Sequence, residues 1–330
     1  MSGNGVSGLG QPVGSLAGRR VWVTGHRGML GSAMVRSLEG EGADVQVAGR
    51  DTLDLTDRAA VFAWMERNRP ELVFHIGAKV GGIHANATLP ADFLHENLSI
   101  QSNVIVGAHR FGVRKLLFVA SNCTYPSQAP QPITEDALLT GPLDANIRAY
   151  AVSKIAGIEL CSAYRRQYGC DFLSVVPPNL YGPGDNYHPQ HSHVVAGILR
   201  RTHEARAAGA AEMVVWGDGT ARRELLHVDD LADAMKSLMV AGTEHDRYNV
   251  GSGHDLAIAE IASLIREVVG FRGEIRYDTS KPNGTMRKLL DSSRIRALGW
   301  RPRIDERAGL RSAYEDFLLL LADPKAGARL

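Results

Sequence analysis

Cysteine is scarce in this chain, which has three in 330 residues, at Cys123, Cys161 and Cys170. Their small number and irregular spacing exclude a disulfide framework and a zinc-ligand pattern, so we expect a cytoplasmic protein without a metal site. The chain also lacks an apolar run long enough to span a bilayer. Residues 1–18 are rich in Gly and Ser and lack the basic and apolar regions of a signal peptide, so we expect a disordered tail there.

An excess of charge of either sign is missing as well. Lys and Arg number 37 and Asp and Glu number 36, which gives a formal net charge of +1. This balance does not favour nucleic acid or an anionic membrane as a partner. Hydrophobic residues make up 44% and charged residues 22% of the chain, which is ordinary for a globular protein with one or two domains.

Apolar segments alternate with helical segments along the first half of the chain. The predicted strands are Arg19–Gly25, Asp44–Ala48, Leu72–Ile76, Lys115–Ala120 and Phe172–Val176. The predicted helices are Gly31–Leu38, Ala59–Asn68, Ala91–Arg110 and Ala149–Gln167. This alternation predicts an α/β fold with a doubly wound parallel sheet of the Rossmann type, covered by helices on both faces.

The alternation stops after Pro178. We expect a loop over Asn179–Pro189, a basic loop over Lys281–Asp291, and helices at Leu225–Met239, Ile258–Val268 and Ala308–Ala322. Helix Leu225–Met239 is expected to return to the sheet. We therefore predict a cofactor-binding domain from residues 19–177 and about 224–248, and a smaller α/β substrate domain from residues 178–223 and 249–330.

A glycine pattern follows the first predicted strand and opens the first predicted helix. It reads Gly25-His26-Arg27-Gly28-Met29-Leu30-Gly31. Glycines at this spacing let the backbone turn tightly and approach a pyrophosphate, which the N–H groups and dipole of the helix N-terminus attract. The pattern predicts a dinucleotide site with contacts from Gly25, Arg27, Gly28, Met29, Leu30 and Gly31.

The end of the second predicted strand bears on the choice of cofactor. NAD-binding sites usually have Asp or Glu there, whereas this chain has Arg50. Arg50 would pair with the 2′-phosphate of NADPH, and Arg27 could add a second cation. NADPH is therefore favoured, although Asp51 leaves NAD open. Asp54 and Leu55 could hold and pack the adenine, and Asp54 could equally cap the next turn.

Tyr150 and Lys154 lie one helical turn apart in a predicted helix, so they share a face. A neighbouring ammonium lowers the pKa of a phenol, which would let Tyr150 exchange a proton near neutral pH. Ser121, at the end of the fourth predicted strand, can hydrogen-bond the same substrate carbonyl. With the glycine pattern, this set predicts an oxidoreductase that moves a hydride and a proton.

Several stretches in order make the chain similar to the extended short-chain dehydrogenase/reductase family. Besides the glycine pattern and Tyr150-Ala151-Val152-Ser153-Lys154, they are Ala78-Lys79-Val80-Gly81-Gly82-Ile83, Ser121-Asn122-Cys123-Thr124-Tyr125-Pro126, Asn179-Leu180-Tyr181-Gly182-Pro183, Ser192-His193-Val194 and Arg287-Lys288-Leu289-Leu290-Asp291. The resemblance spans about Arg19 to Trp300. It implies NADPH-dependent 3,5-epimerisation and 4-reduction of GDP-4-keto-6-deoxy-D-mannose to GDP-L-fucose. It also implies a homodimer packed through helices Ala91–Arg110 and Ala149–Gln167.

The resemblance implies roles for individual residues. Cys123 is the base and His193 the acid that invert C3 and C5, because a thiol and an imidazole have tunable pKa values. Ser121 and Tyr150 stabilise the enolates, and Lys154 holds the cofactor ribose. Further cofactor contacts come from Pro177, Leu180 and His193. The nucleotide sugar is bound by Asn179, Arg201, Trp216, Arg223 and Lys288, of which the arginines match phosphate with paired donors.

Three positions depart from the family pattern. Asn122 replaces a common Ser, Ala149 a common Pro, and Gly184 a common His. The sugar therefore stays open: the same epimerase/reductase, or a 4-reductase alone, could act on another GDP-4-keto sugar such as a heptose or a 3,6-dideoxyhexose. A non-catalytic NADPH-binding regulator is the alternative of another class, which the presence of both Tyr150 and Lys154 disfavours.

Overall fold

A six-stranded parallel sheet lies at the centre of the computed structural model, which describes residues 10–189, 191–281, 285–323 and 330. Side by side, its strands are β10 (Arg247–Asn249), β5 (Asp171–Val176), β4 (Lys115–Val119), β3 (Leu72–His75), β1 (Arg20–Thr24) and β2 (Asp44–Gln46). The chain runs from β1 outward to β2 and then returns to β3 on the other side of β1. This reversal opens a crevice beyond the carboxyl ends of β1 and β3, where open α/β sheets bind ligands.

Helices cover both faces of this sheet, and further helices pack with the smaller strands. The helices in the described part of the chain are α1 (Met29–Glu39), α2 (Arg58–Asn68), α3 (Ile83–Thr88), α4 (Pro90–Arg110), α5 (Arg148–Tyr168), α6 (Val194–Ala207), α7 (Val228–Val240), α8 (Ile258–Val269), α9 (Ser293–Ala297) and α10 (Glu306–Ala322). Helices α1 and α7 bury their apolar sides in the core on one face, and α2, α4 and α5 bury theirs on the other. The predicted doubly wound α/β fold is confirmed.

The remaining strands form small sheets. They are β6 (Asn179–Tyr181), β7 (Glu212–Trp216), β8 (Arg222–Arg223), β9 (Leu225–His227), β11 (Leu256–Ala257), β12 (Glu274–Asp278) and β13 (Arg287–Lys288). Parallel pairs join β6 to β9 and β7 to β12, while β8 lies between antiparallel β11 and parallel β13. Helices α6, α8 and α10 close a third apolar core with these strands.

Four local predictions need correction. The predicted helix Leu225–Met239 begins as strand β9, and α7 starts only at Val228 because the His227 side chain accepts the Asp229 N–H and caps the helix. The predicted loop Asn179–Pro189 begins with strand β6, and the basic loop Lys281–Asp291 contains β13. Helix α1 begins at Met29, two residues before the predicted start, with Gly28 as its N-cap.

The prediction of a disordered tail is also wrong for residues 10–18, while residues 1–9 lie outside the described part of the chain. Val13 and Leu16 are buried in the core that α1 and α7 share, and the Val13 N–H donates to the carbonyl of Val240. The Gly- and Ser-rich composition of this segment did not indicate that these two apolar side chains would be buried.

The division into two domains stays a prediction. The third core unites residues from both segments assigned to the substrate domain, as expected. However, Ile295 and Trp300 from the same assignment are buried in the core beside the main sheet. Among the described residues, no helix is both long and apolar enough to cross a membrane.

Candidate active site

The glycine pattern forms a tight loop between β1 and α1. Gly25 has a φ of +71°, and a Cβ there would lie 2.8 Å from the Cα of Gly77, at the end of β3. A Cβ on Gly31 would overlap the carbonyl oxygen of Gly25. Glycine at these two positions therefore lets the loop pack tightly against the segment after β3 and the start of α1, a geometry that places the helix N-terminus for a dinucleotide pyrophosphate. Met29 and Leu30 begin α1, and Leu30 is buried behind the loop.

A cavity of about 300 Å³ opens beside this loop. Its lining includes Gly25, Arg27, Gly28, Arg50, Asp54 and Leu55 from the sequence prediction. Asp54 accepts hydrogen bonds from the backbone and hydroxyl of Thr56, so it also closes the turn. The cavity lies at the crevice of the sheet, where the fold predicts a cofactor.

Cations and carboxylates alternate at the edge of this cavity. Arg27 forms an ion pair with Asp51 at 3.1 Å, and the largely exposed Arg50 lies 3.9 Å from Glu96. Exposed pairs of this kind exchange partners at little cost. Arg27 and Arg50 are therefore placed to receive a phosphate at the open edge.

Ser121 and Cys123 follow β4 on one short turn. The Ser121 hydroxyl accepts the Cys123 N–H at 3.4 Å, and a bond from the Asn122 N–H to the carbonyl of Pro177 at 3.2 Å ties the turn to the end of β5. Cys123 is buried, and this burial raises the pKa of its thiol. The nearby Lys288 and Lys154 cations and the Ser121 hydroxyl act in the opposite direction.

Tyr150 and Lys154 share one face of α5, as predicted. The Lys154 ammonium donates to the carbonyl of Val119 at 2.9 Å and lies 5.9 Å from the centre of the Tyr150 ring. Burial lowers the pKa of Lys154 to about 8. Burial, followed by the nearby Cys123, raises the pKa of Tyr150, so the predicted lowering by Lys154 is wrong for this structure. Desolvation of the phenolate outweighs an ammonium at that distance.

His193 is the N-cap of α6. It is exposed to solvent, yet desolvation by the surrounding chain lowers the pKa of its imidazole. The loop before α3 contacts both the residue before His193 and the ring that packs against Tyr150. A Cβ on Gly82 would contact the carbonyl of Ser192, one on Gly81 would contact Phe93, and the Phe93 ring packs edge-on against Tyr150.

The expected substrate residues fall into two clusters. Arg223 and Lys288 are register partners in the parallel pair of β8 and β13, and Lys288 is electrostatically coupled to Cys123. Arg201 lies over the Trp216 ring, with its guanidinium carbon 5.8 Å from the ring centre. Asn179 and Leu180 belong to β6, which continues the chain from β5.

Sequence reasoning missed several cavity residues. Lys79 and Glu96 line the cavity and form an ion pair with each other, and Asp144 is electrostatically coupled to Arg223 and Lys288. Lys79 lies in the stretch Ala78-Lys79-Val80-Gly81-Gly82-Ile83, whose resemblance to the family could have indicated that it lines the site. Glu96 and Asp144 stand in no motif that distinguishes them from surface carboxylates. Within the described residues, no group of three or more His, Cys, Asp or Glu side chains is arranged to hold a metal ion.

Residues 21–251 match the family described as NAD dependent epimerase/dehydratase, so the chain belongs to this family. A GDP-L-fucose synthase of Sinorhizobium fredii is 48% identical over 94% of this chain and 99% of its own length. The resemblance to extended short-chain dehydrogenases/reductases is therefore confirmed.

Two solved structures are similar over nearly the whole chain. A GDP-L-fucose synthetase from Naegleria fowleri bound to NADP has a TM-score of 0.87 and 27% identity, covering 94% of this chain and 96% of its own. A GDP-6-OMe-4-keto-L-xylo-heptose reductase from C. jejuni has a TM-score of 0.86 and 31% identity, covering 93% and 99%.

Proposed function

We propose that this protein is an NADPH-dependent enzyme that epimerises C3 and C5 of GDP-4-keto-6-deoxy-D-mannose and reduces C4 to give GDP-L-fucose. One observation carries the proposal: the buried Cys123 shares a short turn with Ser121 and is electrostatically coupled to both Tyr150 and Lys154. Ser121, Tyr150 and Lys154 suit reduction of a ketone, and a thiol beside them suits removal of a proton next to that ketone. The relatives from Sinorhizobium fredii and Naegleria fowleri are named for the synthesis of GDP-L-fucose.

The cofactor fits the crevice of the sheet. NADPH, when bound, supplies the hydride for C4. The Gly25–Gly31 loop would hold the pyrophosphate, and Arg27 and Arg50 would pair with the 2′-phosphate. Lys154 would hold the ribose beside the nicotinamide. Pro177, Leu180 and His193 would contact the nicotinamide end, and Asp54 and Leu55 the adenine end.

Epimerisation uses Cys123 as the base and His193 as the acid. The carbonyl at C4 acidifies the protons on C3 and C5, and Ser121 and Tyr150 hydrogen-bond the oxygen on which the negative charge develops. The cations of Lys288 and Lys154 favour the thiolate form of Cys123 against its burial. A neutral imidazole on His193 accepts a proton from solvent and delivers it to the opposite face of the sugar.

Reduction needs a proton donor for the oxygen at C4. The Tyr150 phenol is protonated at neutral pH, which is the form that donates to a developing alkoxide. Burial raises its pKa and makes it a weaker acid, so the transfer depends on the strong basicity of the oxyanion that forms at C4.

The nucleotide sugar lies between the two clusters of basic side chains. Lys288, which is electrostatically coupled to Cys123, and its register partner Arg223 hold the diphosphate and the sugar, with Asn179 as a neutral partner. Arg201 and the exposed Trp216 offer a second cation and a flat ring.

We also propose a homodimer in the cytoplasm. Helices α4 and α5 pack against each other, and a groove beside them is lined by polar residues and by the exposed Leu98, which a second copy can cover. The free thiols Cys123, Cys161 and Cys170 suit a reducing compartment.

Turnover of GDP-4-keto-6-deoxy-D-mannose with NADPH in deuterated water tests the proposed activity. We expect NADPH oxidation and deuterium at C3 and C5 in the product. Cys123→Ser is expected to stop deuterium incorporation and keep NADPH affinity, whereas Cys170→Ser, on a partly exposed thiol, is the matched control with unchanged turnover. Oxidation without deuterium would leave a 4-reductase alone. No oxidation would direct the search to another GDP-4-keto sugar, such as the heptose named for the C. jejuni structure.

A further inference from the structure

Glu224 is a buried carboxylate that none of the proposed steps uses. It lies between β8 and β9 and is fully buried. One carboxylate oxygen accepts the Gly253 N–H at 2.7 Å, and the other accepts the Leu290 N–H at 2.9 Å. The carbonyl of Glu224 also accepts the Asn179 N–H at 3.2 Å. One residue therefore joins three segments that are far apart in the sequence.

Glu224 and its partner Leu290 are each close in the chain to one of the proposed substrate cations. Arg223 precedes Glu224 in the chain, and Lys288 lies two residues before Leu290. Arg223 and Lys288 are register partners, so Glu224 fixes the two strands just beyond their cationic side chains. Burial lowers the pKa of both cations, and the Arg223 charge lowers that of Lys288 further, so keeping both side chains charged, buried and adjacent costs free energy. A rigid attachment is needed to keep them adjacent.

The surrounding glycines leave room for this carboxylate. A Cβ on Gly251 would overlap a carboxylate oxygen of Glu224. Gly253 has a φ of +90°, and a Cβ there would overlap the guanidinium of Arg296. The turn from Gly251 to Gly253 thus wraps closely around Glu224 on one side, while Leu290 lies on the other.

We propose that Glu224 is a positioning residue that holds Arg223 and Lys288 side by side next to Cys123. A carboxylate is required because both of its oxygens accept N–H groups, whereas an amide offers only one acceptor atom. Displacing Lys288 removes a cation that favours the Cys123 thiolate. The consequence for the nucleotide sugar rests on the proposed function, but the consequence for the thiol does not.

The Glu224→Gln variant tests the positioning role of Glu224 through the reactivity of Cys123. The pH dependence of the rate at which iodoacetamide alkylates Cys123, followed by mass spectrometry of its peptide, measures the thiol pKa separately from access of the reagent to the buried thiol. We expect alkylation at neutral pH about tenfold slower than in the wild type, which corresponds to a thiol pKa about one unit higher. We also expect the KM for the GDP-4-keto sugar to rise about tenfold with unchanged NADPH affinity, because ground-state binding of the sugar is weakened.

Glu135→Gln is the matched control. Glu135 is also buried and accepts a backbone N–H, from Asn249, but it pairs with Arg294 and not with the substrate cations. Its variant should alkylate at the wild-type rate. Gly251→Ala is a second route, because the added methyl group displaces the Glu224 carboxylate without removing it.

The outcomes separate the two proposals. Wild-type alkylation and KM in a folded Glu224→Gln protein would overturn the positioning role, as would equal slowing in Glu135→Gln. If Glu224→Gln does not fold, slow alkylation in Gly251→Ala supports the role and a wild-type rate overturns it. If the wild type turns over no GDP-4-keto sugar but Glu224→Gln still slows alkylation, the proposed function fails and the role of Glu224 stands.

Discussion

The cofactor half and the substrate half of the site are built in different ways. The cofactor cavity is lined mainly by the turns that follow β1, β2 and β3, with Glu96 and Ile100 of α4, and the glycine motif that predicts it is one short stretch of the chain. The group around Cys123 brings together Arg223 and Lys288 from strands that are about a hundred or more residues further along the chain. A local motif can therefore specify one half, while the other depends on long-range contacts such as those of Glu224. The halves should respond differently to substitution.

The largest effect is expected at Tyr150, where the two halves meet. Tyr150→Phe removes the proton donor and keeps the ring that packs against Phe93, so kcat for NADPH oxidation should fall by about 10²–10⁴. NADPH affinity, measured by fluorescence titration, should stay at the wild-type value. Tyr168→Phe, on an exposed ring of the same helix, is the control. A wild-type kcat in Tyr150→Phe would remove this residue from the proton transfer.

The two halves also contain buried groups that titrate in opposite directions. His75, at the end of β3, is buried, and its Nδ1 atom is 2.9 Å from the Thr24 hydroxyl. Burial, followed by the Lys154 cation, lowers the pKa of His75 to about 3. The unfolded chain therefore binds a proton below about pH 6.5 that the folded chain does not, and stability is lost as the pH falls from about 6.5 toward 3. Burial raises the pKa of Glu224 to about 7, so its contribution falls as the pH rises from about 4.5 to 7.

Urea unfolding at pH 6.5 and pH 4.5 measures this difference. The contribution of His75 to stability should fall by about 2–3 kcal/mol between the two values, while that of Glu224 rises by a similar amount, so the wild type should change little. His75→Asn should gain about that much stability, because it removes the group that must be protonated on unfolding. Glu224→Gln should instead lose about that much, since Glu224 acts in the opposite direction over this range. Equal changes in the wild type and His75→Asn would show that other groups govern the acid response.

The glycine loop provides the next test, on the cofactor half of the site. Gly31→Ala places a methyl group against the carbonyl of Gly25, and the required backbone shift should cost about 1–3 kcal/mol and weaken NADPH binding. Gly40→Ala, at the other end of α1, has a helical φ of −65° and no contact closer than 3.7 Å, so it should be neutral or slightly stabilising. Calorimetry and NADPH titration of both variants decide the comparison. A Gly31→Ala protein that binds NADPH normally would contradict the tight fit of the loop.

These contrasts explain what the sequence could predict. The alternation of strands and helices and the glycine pattern are local properties, so the sheet and the Gly25 loop were predictable. The helical spacing of Tyr150 and Lys154 was local too, but the pKa of Tyr150 depends on how deeply the folded chain buries its ring. The pairing of Arg223 with Lys288, and the carboxylate of Glu224 behind them, depend on a register between distant strands that no local pattern encodes. Val13 and Leu16 were missed because two apolar residues in a glycine-rich stretch give no periodicity.

The smallest effect is expected at the open edge of the cofactor cavity, where Arg50 is largely exposed. Arg50→Ala should weaken NADPH binding about tenfold, or about 1.4 kcal/mol, because a solvated contact to a phosphate contributes modestly. NADH has no 2′-phosphate, so its affinity should not fall, and the preference for NADPH over NADH should shrink by the same factor. Arg58→Ala, on the exposed start of α2, is the control that should keep the preference. An unchanged preference in Arg50→Ala would assign the 2′-phosphate to Arg27, whose ion pair with Asp51 would then have to open on binding.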